Sequence, residues 1–345
     1  MPKKNKNPFG IFTESIGLYF SNFGKFIKYM TFPVIGQVVG LLIVFLCTYF
    51  YSKNLPILIE KYSAFNNFNT LVLMSVIVAI PGLLIFTKAF WEYLVAYGAI
   101  NSMLDNMLKS GKVYDFNAHT ELIKRRTASF IGLWLLFGIF SIITLCPLFW
   151  VPALVLAVYF VLIFQVFTYE SELSPIGCVK KSFMLVKGHF LPTFILMTMA
   201  GLLTWVFIPQ IINNIFNMIG INKFFANLIV PFMDILPLNE INTYFTQFRI
   251  PVIKTDDVAI LIVTTTVIQI LIQYTLPLRS LLFGMWYKEL NKFSESKDEK
   301  KKKKSSSKRP SEKLMEESHK KYSGASKKLD RNILKRAMEK DEEEE

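Results

Sequence analysis

The sequence contains few of the residues that bind metals or form disulfides. It has three cysteines and three histidines, each far along the chain from the others of its kind: Cys47, Cys146, Cys178, His119, His189 and His319. Zinc sites and disulfide frameworks need clusters or pairs of such residues. We therefore expect the cysteines to be small apolar packing residues and the histidines to be structural or at the surface.

Catalytic motifs are also missing. The chain contains no HExxH, GxSxG or GxxxxGK[ST] pattern, which would mark a zinc protease, a hydrolase nucleophile or a phosphate-binding loop. No cluster of carboxylates lies at a predicted membrane surface. We therefore expect a protein that is not an enzyme and that needs no cofactor.

Charge and hydropathy are both high, but they lie in different parts of the chain. The 345 residues are 52% apolar and carry a formal net charge of +13. Residues 293–345 hold 17 Lys+Arg and 13 Asp+Glu. Residues 1–292 are about 58% apolar, above the roughly 45–50% of a soluble domain. The sequence therefore predicts a membrane domain over 1–292 and a charged, mostly disordered tail over 293–345.

Several apolar segments are long enough to cross a bilayer, whose hydrocarbon core is about 30 Å thick. The six predicted spans are 32–51, 71–100, 128–146, 149–169, 189–216 and 258–287. They must be helices, because unpaired backbone groups in lipid cost several kcal/mol each. The predicted fold class is an all-α polytopic membrane protein, and its first span is expected to be a retained signal anchor.

The basic residues of the short loops predict the orientation. Positive charge concentrates before the first span, between the second and third spans, between the fourth and fifth, and after the sixth. Because cytoplasmic loops carry an excess of Lys and Arg, both termini are predicted to be cytoplasmic. Six spans give the same parity. The expected location is a membrane whose basic side faces the cytoplasm.

Three cytoplasmic segments resemble one another: 13–28, 116–130 and 174–190. Each opens with a plausible helix N-cap and continues as a basic amphipathic stretch, which is typical of a helix lying among anionic headgroups. The candidate lipid contacts are Lys25, Lys28, Lys124, Arg125, Arg126, Lys180, Lys181 and Lys187. The segments represent either a repeated structural unit or ordinary basic linkers.

The third of these segments allows the most detailed prediction. Ser174 and Pro175 suit an N-cap and the first position of a helix. Spacing by three or four residues predicts an apolar face made of Ile176, Val179, Phe183 and Val186.

Two regions outside the spans leave alternatives open. Residues 224–237 are apolar but too short and proline-rich to cross, so they are predicted to be interfacial or re-entrant. In the tail, the low-complexity run 300–307 is expected to be disordered, and 326–340 could form a short helix. The tail either is solvated near anionic lipid or binds a cytoplasmic protein partner. Its interleaved acids and its scarcity of aromatics, with only Phe293 and Tyr322, disfavour nucleic acid.

Polar residues inside spans are costly and are therefore candidate functional residues. Lys88 and Glu92 share a face of the second span, and Arg279 lies at the corresponding end of the sixth. One hypothesis is that Glu92 pairs with Lys88 or Arg279 and lines a path. The other is that these residues are interfacial anchors and a structural ion pair. Gln269 and Gln273, four residues apart, are predicted to bond between helices.

Gly36 and Gly40 form a GxxxG pattern on the first span. Such a pattern allows two helices to approach closely. It predicts either an internal helix contact or the face of a homo-oligomer.

Three segments carry a resemblance to a known family. They are Gly111–Phe116, Leu173–Phe190 (LSPIGCVKKSFMLVKGHF) and Leu282–Tyr287. The chain from about residue 9 to 292 resembles the YciC-like integral membrane proteins and the membrane domain of glycerophosphodiester phosphodiesterases. The resemblance implies a bacterial membrane protein of a family with mostly unknown function. No phosphodiesterase domain follows the sixth span here, so that activity is not carried over.

These observations favour a non-enzymatic membrane scaffold or envelope-maintenance protein that contacts anionic lipid. The alternative is a transporter or channel-like protein for a lipid or small solute, with the intramembrane polar residues in its path. A membrane enzyme that acts on lipid headgroups is the third hypothesis, and no motif supports it.

Overall fold

A computed structural model describes residues 7–113, 116–143 and 145–306, and it contains no strand within these ranges. The predicted helix over 326–340 lies outside them. The α-helices are α1 (Pro8–Ser21), α2 (Phe23–Lys61), α3 (Phe68–Ser110), α4 (Phe116–Lys124), α5 (Thr127–Ile143), α6 (Trp150–Phe160), α7 (Ile163–Tyr169), α8 (Pro175–Val186), α9 (Phe190–Gly201), α10 (Ile208–Met218), α11 (Ile221–Ile229), α12 (Leu238–Gln247), α13 (Thr255–Tyr274) and α14 (Leu276–Ser306).

The chain has several helices that are long and apolar enough to cross a membrane. Five qualify singly, and the number rises to seven if each of two sharply bent helix pairs is one span. The five are Phe23–Lys61, Phe68–Ser110, Pro147–Tyr169, Phe190–Met218 and Thr255–Glu295. Each predicted span except the third corresponds to one of these five helices. The predicted fifth span, 189–216, begins one residue before its helix.

The predicted third span, 128–146, needs correction at its C-terminal end. Helix α5 ends at Ile143, and Leu145 and Cys146 lie in the turn that follows. At its other end, α5 meets α4 at an angle of 78°. The span is therefore the second arm of a bent pair, and α4 is the amphipathic arm predicted before it.

Helices α2 and α3 form a long antiparallel pair. They contain 39 and 43 residues, which correspond to about 58 and 64 Å at about 1.5 Å per residue. Near one end the Tyr51 hydroxyl donates to the Leu71 carbonyl at 3.3 Å. Both helices are far longer than the roughly 30 Å of hydrocarbon in a bilayer. Each helix therefore has a part that can lie in the hydrocarbon and a part that extends beyond the hydrocarbon.

The two parts of α3 have different surroundings. Large apolar side chains between Phe68 and Phe90 are exposed, as expected for contact with lipid, whereas most residues from Ala89 to Met107 are buried in the protein. The buried half packs against α4, α7 and the start of α14. The main protein core therefore lies at one end of the bundle, the end that the sequence predicts to be cytoplasmic.

Helix α8 begins as predicted but buries a different face. The Ser174 hydroxyl accepts a hydrogen bond from the Gly177 amide at 3.2 Å, which confirms the N-cap. The predicted apolar face is wrong in part, because Ile176 is 73% exposed and Phe183 is also exposed. The small residues Cys178 and Ser182 are buried instead, since they allow α8 to approach α6 closely.

The outer segment after α9 packs on the bundle. A π-helical turn, Leu202–Phe207, joins α9 to α10, and Gly220, with a φ of 81°, separates α10 from α11. Ala226 and Met233 pack against the α13 residues Ala259 and Val263. A bend of 85° follows before α12. Part of this segment therefore packs on α13, and the interfacial or re-entrant path of residues 224–237 stays a prediction.

The sixth predicted span is interrupted at Thr275, between α13 and α14. Contacts divide the chain into two units at residue 290. In the second unit, α14 runs through Ser306. The expected disorder of residues 300–307 stays a prediction.

Candidate functional site

Glu92 pairs with a residue that the sequence analysis assigned to lipid. The Lys124 ammonium of α4 donates to a Glu92 carboxylate oxygen at 2.9 Å. Lys88 is exposed, and no ion pair to it occurs in the described part of the chain. The predicted pairing of Glu92 with Lys88 or Arg279 is therefore replaced by an ion pair that fixes α4 on α3.

Arg279 occupies a separate place between helices. Its guanidinium donates to the Ile272 carbonyl at 3.1 Å and lies 5.7 Å from the centre of the Trp205 ring. It also interacts with the Tyr93 hydroxyl of α3. Arg279 thus satisfies a carbonyl just before the helix interruption at Thr275, a position where the backbone loses helical partners.

The predicted glutamines take different roles. Gln37 of α2 donates to Gln273 of α13 at 3.1 Å and to the Pro33 carbonyl at 2.6 Å. Gln269 is exposed. The prediction of an interhelical hydrogen bond is confirmed for Gln273, and its partner belongs to the first predicted span.

Sequence reasoning missed a buried polar cluster between α3, α7 and α14. Ser280 donates to the side-chain oxygen of Asn101 at 2.8 Å. The Gln165 amide lies 3.0 Å from the Tyr97 hydroxyl, and the Tyr169 hydroxyl donates to the Asn101 carbonyl at 2.8 Å. The three helices are distant in sequence, so no local pattern could show that they meet. The only available signal was that these polar residues lie within apolar helices.

Half of the eight predicted lipid-binding cations contact other parts of the protein, among them Lys124, which pairs with Glu92. Lys25 donates to the Val113 carbonyl at 2.9 Å, and Lys181 lies 3.3 Å from Glu170. Arg126 donates to the Phe167 carbonyl at 2.6 Å and stacks over its ring. Three cations are exposed, and no ion pair to them occurs among residues 7–113, 116–143 and 145–306: Lys28, Lys180 and Lys187.

Arg125 belongs to neither group. It is exposed and lies 3.7 Å from Glu121, one helical turn earlier. Exposed pairs of this kind contribute little to stability, so Arg125 remains available to solvent or to lipid headgroups.

Two of the segments that carry the family resemblance meet at Glu170. The Tyr287 hydroxyl of α14 donates to Glu170 at 2.9 Å, and the same carboxylate pairs with Lys181 of α8. Tyr287 stacks on Tyr169 with ring centres 5.1 Å apart. Beside them, Lys288 forms an ion pair with Asp105 of α3. These contacts join the ends of α3, α7, α8 and α14 into one layer.

Burial changes the chemistry of one thiol in this layer. Cys178 of α8 is buried, and loss of hydration raises its pKa to about 11, with a smaller opposing effect from Arg126. The thiol form therefore dominates at neutral pH. A nucleophilic cysteine needs the opposite shift, so the arrangement favours a packing role.

The GxxxG pattern is an internal contact. A methyl group on Gly40 would lie 2.5 Å from the Phe86 amide nitrogen and 2.8 Å from the Gly82 carbonyl oxygen. One on Gly36 would lie 2.8 Å from the Ala89 methyl. The surface that could have formed a homo-oligomer is thus already occupied by α3.

An open cleft lies where α2 and α3 diverge beyond this contact. Its volume is about 370 Å³, and it is lined by Tyr29, Phe32, Pro33, Lys88 and Glu92. Two of the predicted intramembrane polar residues therefore share one site, whereas Arg279, Gln269 and Gln273 do not line it.

Metal chemistry has no candidate centre in the described ranges, where no group of three or more His, Cys, Asp or Glu residues could hold an ion. Comparison of the chain with protein-family models, curated proteins and solved structures gives no match. The resemblance to the YciC-like proteins therefore stays a prediction.

Proposed function

We propose that the protein is a six-span scaffold or envelope-maintenance protein of a bacterial inner membrane, with both termini in the cytoplasm. In this proposal it is not an enzyme, and it holds anionic lipid at its cytoplasmic end. The observation that carries the proposal is the division of its basic residues. Lys25, Lys124, Arg126 and Lys181 join the helices to each other, while Lys28, Lys180 and Lys187 are exposed.

The exposed group suits a lipid surface. A lysine near an anionic membrane surface contributes about 1 kcal/mol, so three contribute roughly 3 kcal/mol if they act independently. On α8 the exposed Ile176 and Phe183 accompany Lys180 and Lys187. Exposed apolar residues beside basic ones are typical of a helix that rests among headgroups.

The internal group supports a scaffold role. The contacts at Glu92, Glu170 and the Phe167 carbonyl tie short cytoplasmic-end helices to the long spans. Such a layer is well suited to hold a partner or a lipid patch in a constant geometry. The tail beyond residue 306, outside the described residues, is the proposed contact for a cytoplasmic protein.

The test measures which anionic lipids stay with the purified protein. We expect native mass spectrometry to find fewer retained phosphatidylglycerol molecules on a Lys28→Gln, Lys180→Gln, Lys187→Gln triple variant than on the wild type. The matched control removes three exposed cations from the opposite end: Lys223→Gln, Arg249→Gln and Lys254→Gln. An equal loss from both triple variants would show that the position of the charge is irrelevant, and the proposal would fail.

One observation favours transport as a second candidate. The π-helical turn after α9 and the interruption before α14 adjoin, because the Thr275 hydroxyl donates to the Thr204 carbonyl at 3.3 Å. Paired helix interruptions frame binding sites in some transporters. Pro209 and Pro277 lie beside the two interruptions. Because proline has no backbone N–H group, these residues explain the interruptions without a bound solute.

Reconstituted vesicles separate the two candidates. Transport predicts movement of a fluorescent phospholipid or solute above the rate of empty vesicles, with loss in Arg279→Gln. Rates equal to those of empty vesicles would remove this second candidate and leave the scaffold proposal untouched.

A further inference from the structure

The cleft between α2 and α3 has a defined floor. Gly36 brings the two helices together, so a methyl there would meet Ala89 at 2.8 Å. One turn away, Phe32 and Pro33 of α2 and Lys88 and Glu92 of α3 line an open space of about 370 Å³. That volume falls within the roughly 300–1,000 Å³ of small-molecule sites.

One wall of the cleft is held rigid. The Tyr29 hydroxyl lies 2.7 Å from the Thr120 hydroxyl, and the Tyr29 ring stacks on Phe116 with centres 4.1 Å apart. Glu92, on the other helix, is held by Lys124. Because these contacts come from α4, the cleft keeps its shape without a ligand.

The charge of the cleft is positive. Lys124 neutralises Glu92 at 2.9 Å, which leaves the Lys88 ammonium uncompensated by any ion pair in the described part of the chain. Lys88 is exposed on the rim. The site therefore offers one positive charge, which matches a phosphodiester with one negative charge.

The height of the cleft corresponds to a headgroup. Lys88 follows Phe68, the start of α3, by twenty residues, or about 30 Å along the helix, which is the thickness of the hydrocarbon core. The nearly continuous series of exposed large apolar residues on α3 ends at Phe90, and Leu108 is the next one along the helix. Lys88 thus lies where an apolar surface changes to a polar one.

We propose that this cleft binds one anionic phospholipid, with its phosphodiester on the Lys88 ammonium and its acyl chains along the exposed apolar surface of α2 and α3. Ile35 and Phe32 of α2 and Leu84 of α3 are exposed beside the cleft. A soluble phosphate ester would gain nothing from that surface, and for this reason the lipid is the favoured ligand. The site rests on the membrane placement proposed above, but it does not use Lys28, Lys180 or Lys187.

Native mass spectrometry of the full chain in detergent tests the site with dioleoylphosphatidylglycerol as the probe. The expected result is one tightly retained molecule per chain, with weak retention of dioleoylphosphatidylcholine. Lys88→Gln should weaken retention at least about tenfold, and Lys88→Arg should keep it. Lys223→Gln serves as a matched control because it removes an exposed lysine at the opposite end of the bundle and should leave this one molecule bound.

A second variant predicts a change in the opposite direction. Glu92→Gln frees Lys124 and raises the charge of the cleft, so it should bind the phosphatidylglycerol probe more tightly. Its folding is checked by gel filtration and thermal melting. Unchanged retention in Lys88→Gln would overturn the proposal, as would effective competition by water-soluble glycerol phosphate. If Lys88→Gln has no effect but the triple variant loses lipid, only the cleft is refuted and the scaffold proposal stands.

Discussion

The close contact between α2 and α3 makes Gly40→Ala an informative substitution. The added methyl would lie 2.5 Å from the Phe86 nitrogen and 2.8 Å from the Gly82 oxygen, whereas ordinary contact begins at 3.4 Å. Both neighbours are backbone atoms of a helix, so neither can move alone. The two helices would have to separate by roughly 1 Å, which weakens dispersion contacts along their whole interface.

The size of the effect follows from two opposing contributions. Overpacking lowers the free energy of unfolding by about 1–3 kcal/mol. Replacing a helical glycine with alanine raises it by up to about 1 kcal/mol. If alanine gains the full contribution of about 1 kcal/mol, the net loss is up to about 2 kcal/mol. At about 2–4 °C per kcal/mol in a large domain, the thermal midpoint should fall by several degrees.

A second glycine provides the control. Gly138 of α5 also lies in an apolar helix, but no atom lies within 4 Å of a methyl placed there. Gly138→Ala should therefore leave the midpoint unchanged or raise it slightly. The measurement is thermal unfolding of the purified variants in one detergent. If Gly40→Ala were as stable as Gly138→Ala, the helices would not approach as described and the reasoning would be refuted.

Three further predictions concern single residues. At pH 7.5 a maleimide should modify the exposed Cys146 but reach Cys178 only after denaturation, because burial shields that thiol and raises its pKa to about 11; equal labelling rates would contradict this. Burial raises the pKa of Tyr19 to about 12, so the folded state favours the neutral phenol. That stabilisation should be complete below about pH 10 and disappear by pH 12. Tyr19→Phe should therefore remove this part of the pH dependence of the melting temperature. An identical decline of the melting temperature in both proteins would disprove this role of Tyr19. Lys53→Gln should barely change the thermal unfolding midpoint although Lys53 lies 2.5 Å from Asp234, because both side chains are half exposed. A large fall in the midpoint would mean that the pair is a structural anchor.

Hydropathy was sufficient to locate most of the apolar helices. It records how many adjacent residues avoid water, and the boundaries near 71–100 and 258–287 agree with long helices for that reason. It could not show that the second half of α3 is buried in protein, since lipid and protein interior favour the same residues. The same ambiguity hid the true inner face of α8.

Partners distant in sequence were beyond local patterns. Spacing suggested that Lys88 and Glu92 act together, but the partner of Glu92 is Lys124, on the next helix. Similarly, Gly82 of α3 allows Gly40 of α2 to approach closely. Both cases depend on which helix faces which, and a single sequence contains no direct record of that.

The contacts between α1 and the end of the bundle affect how the protein is made. Ser15 of α1 contacts the Met285 sulfur at 3.3 Å, and Tyr19 donates to the Tyr274 carbonyl at 3.1 Å. At about 5–20 residues per second, the ribosome delivers those partners on the order of 15–50 s after α1. During that interval the side of α1 that contacts Met285 lacks its partner. A nascent chain that stopped before Met285 would lack the Ser15 contact, so this end of the bundle is completed only when α14 has been made.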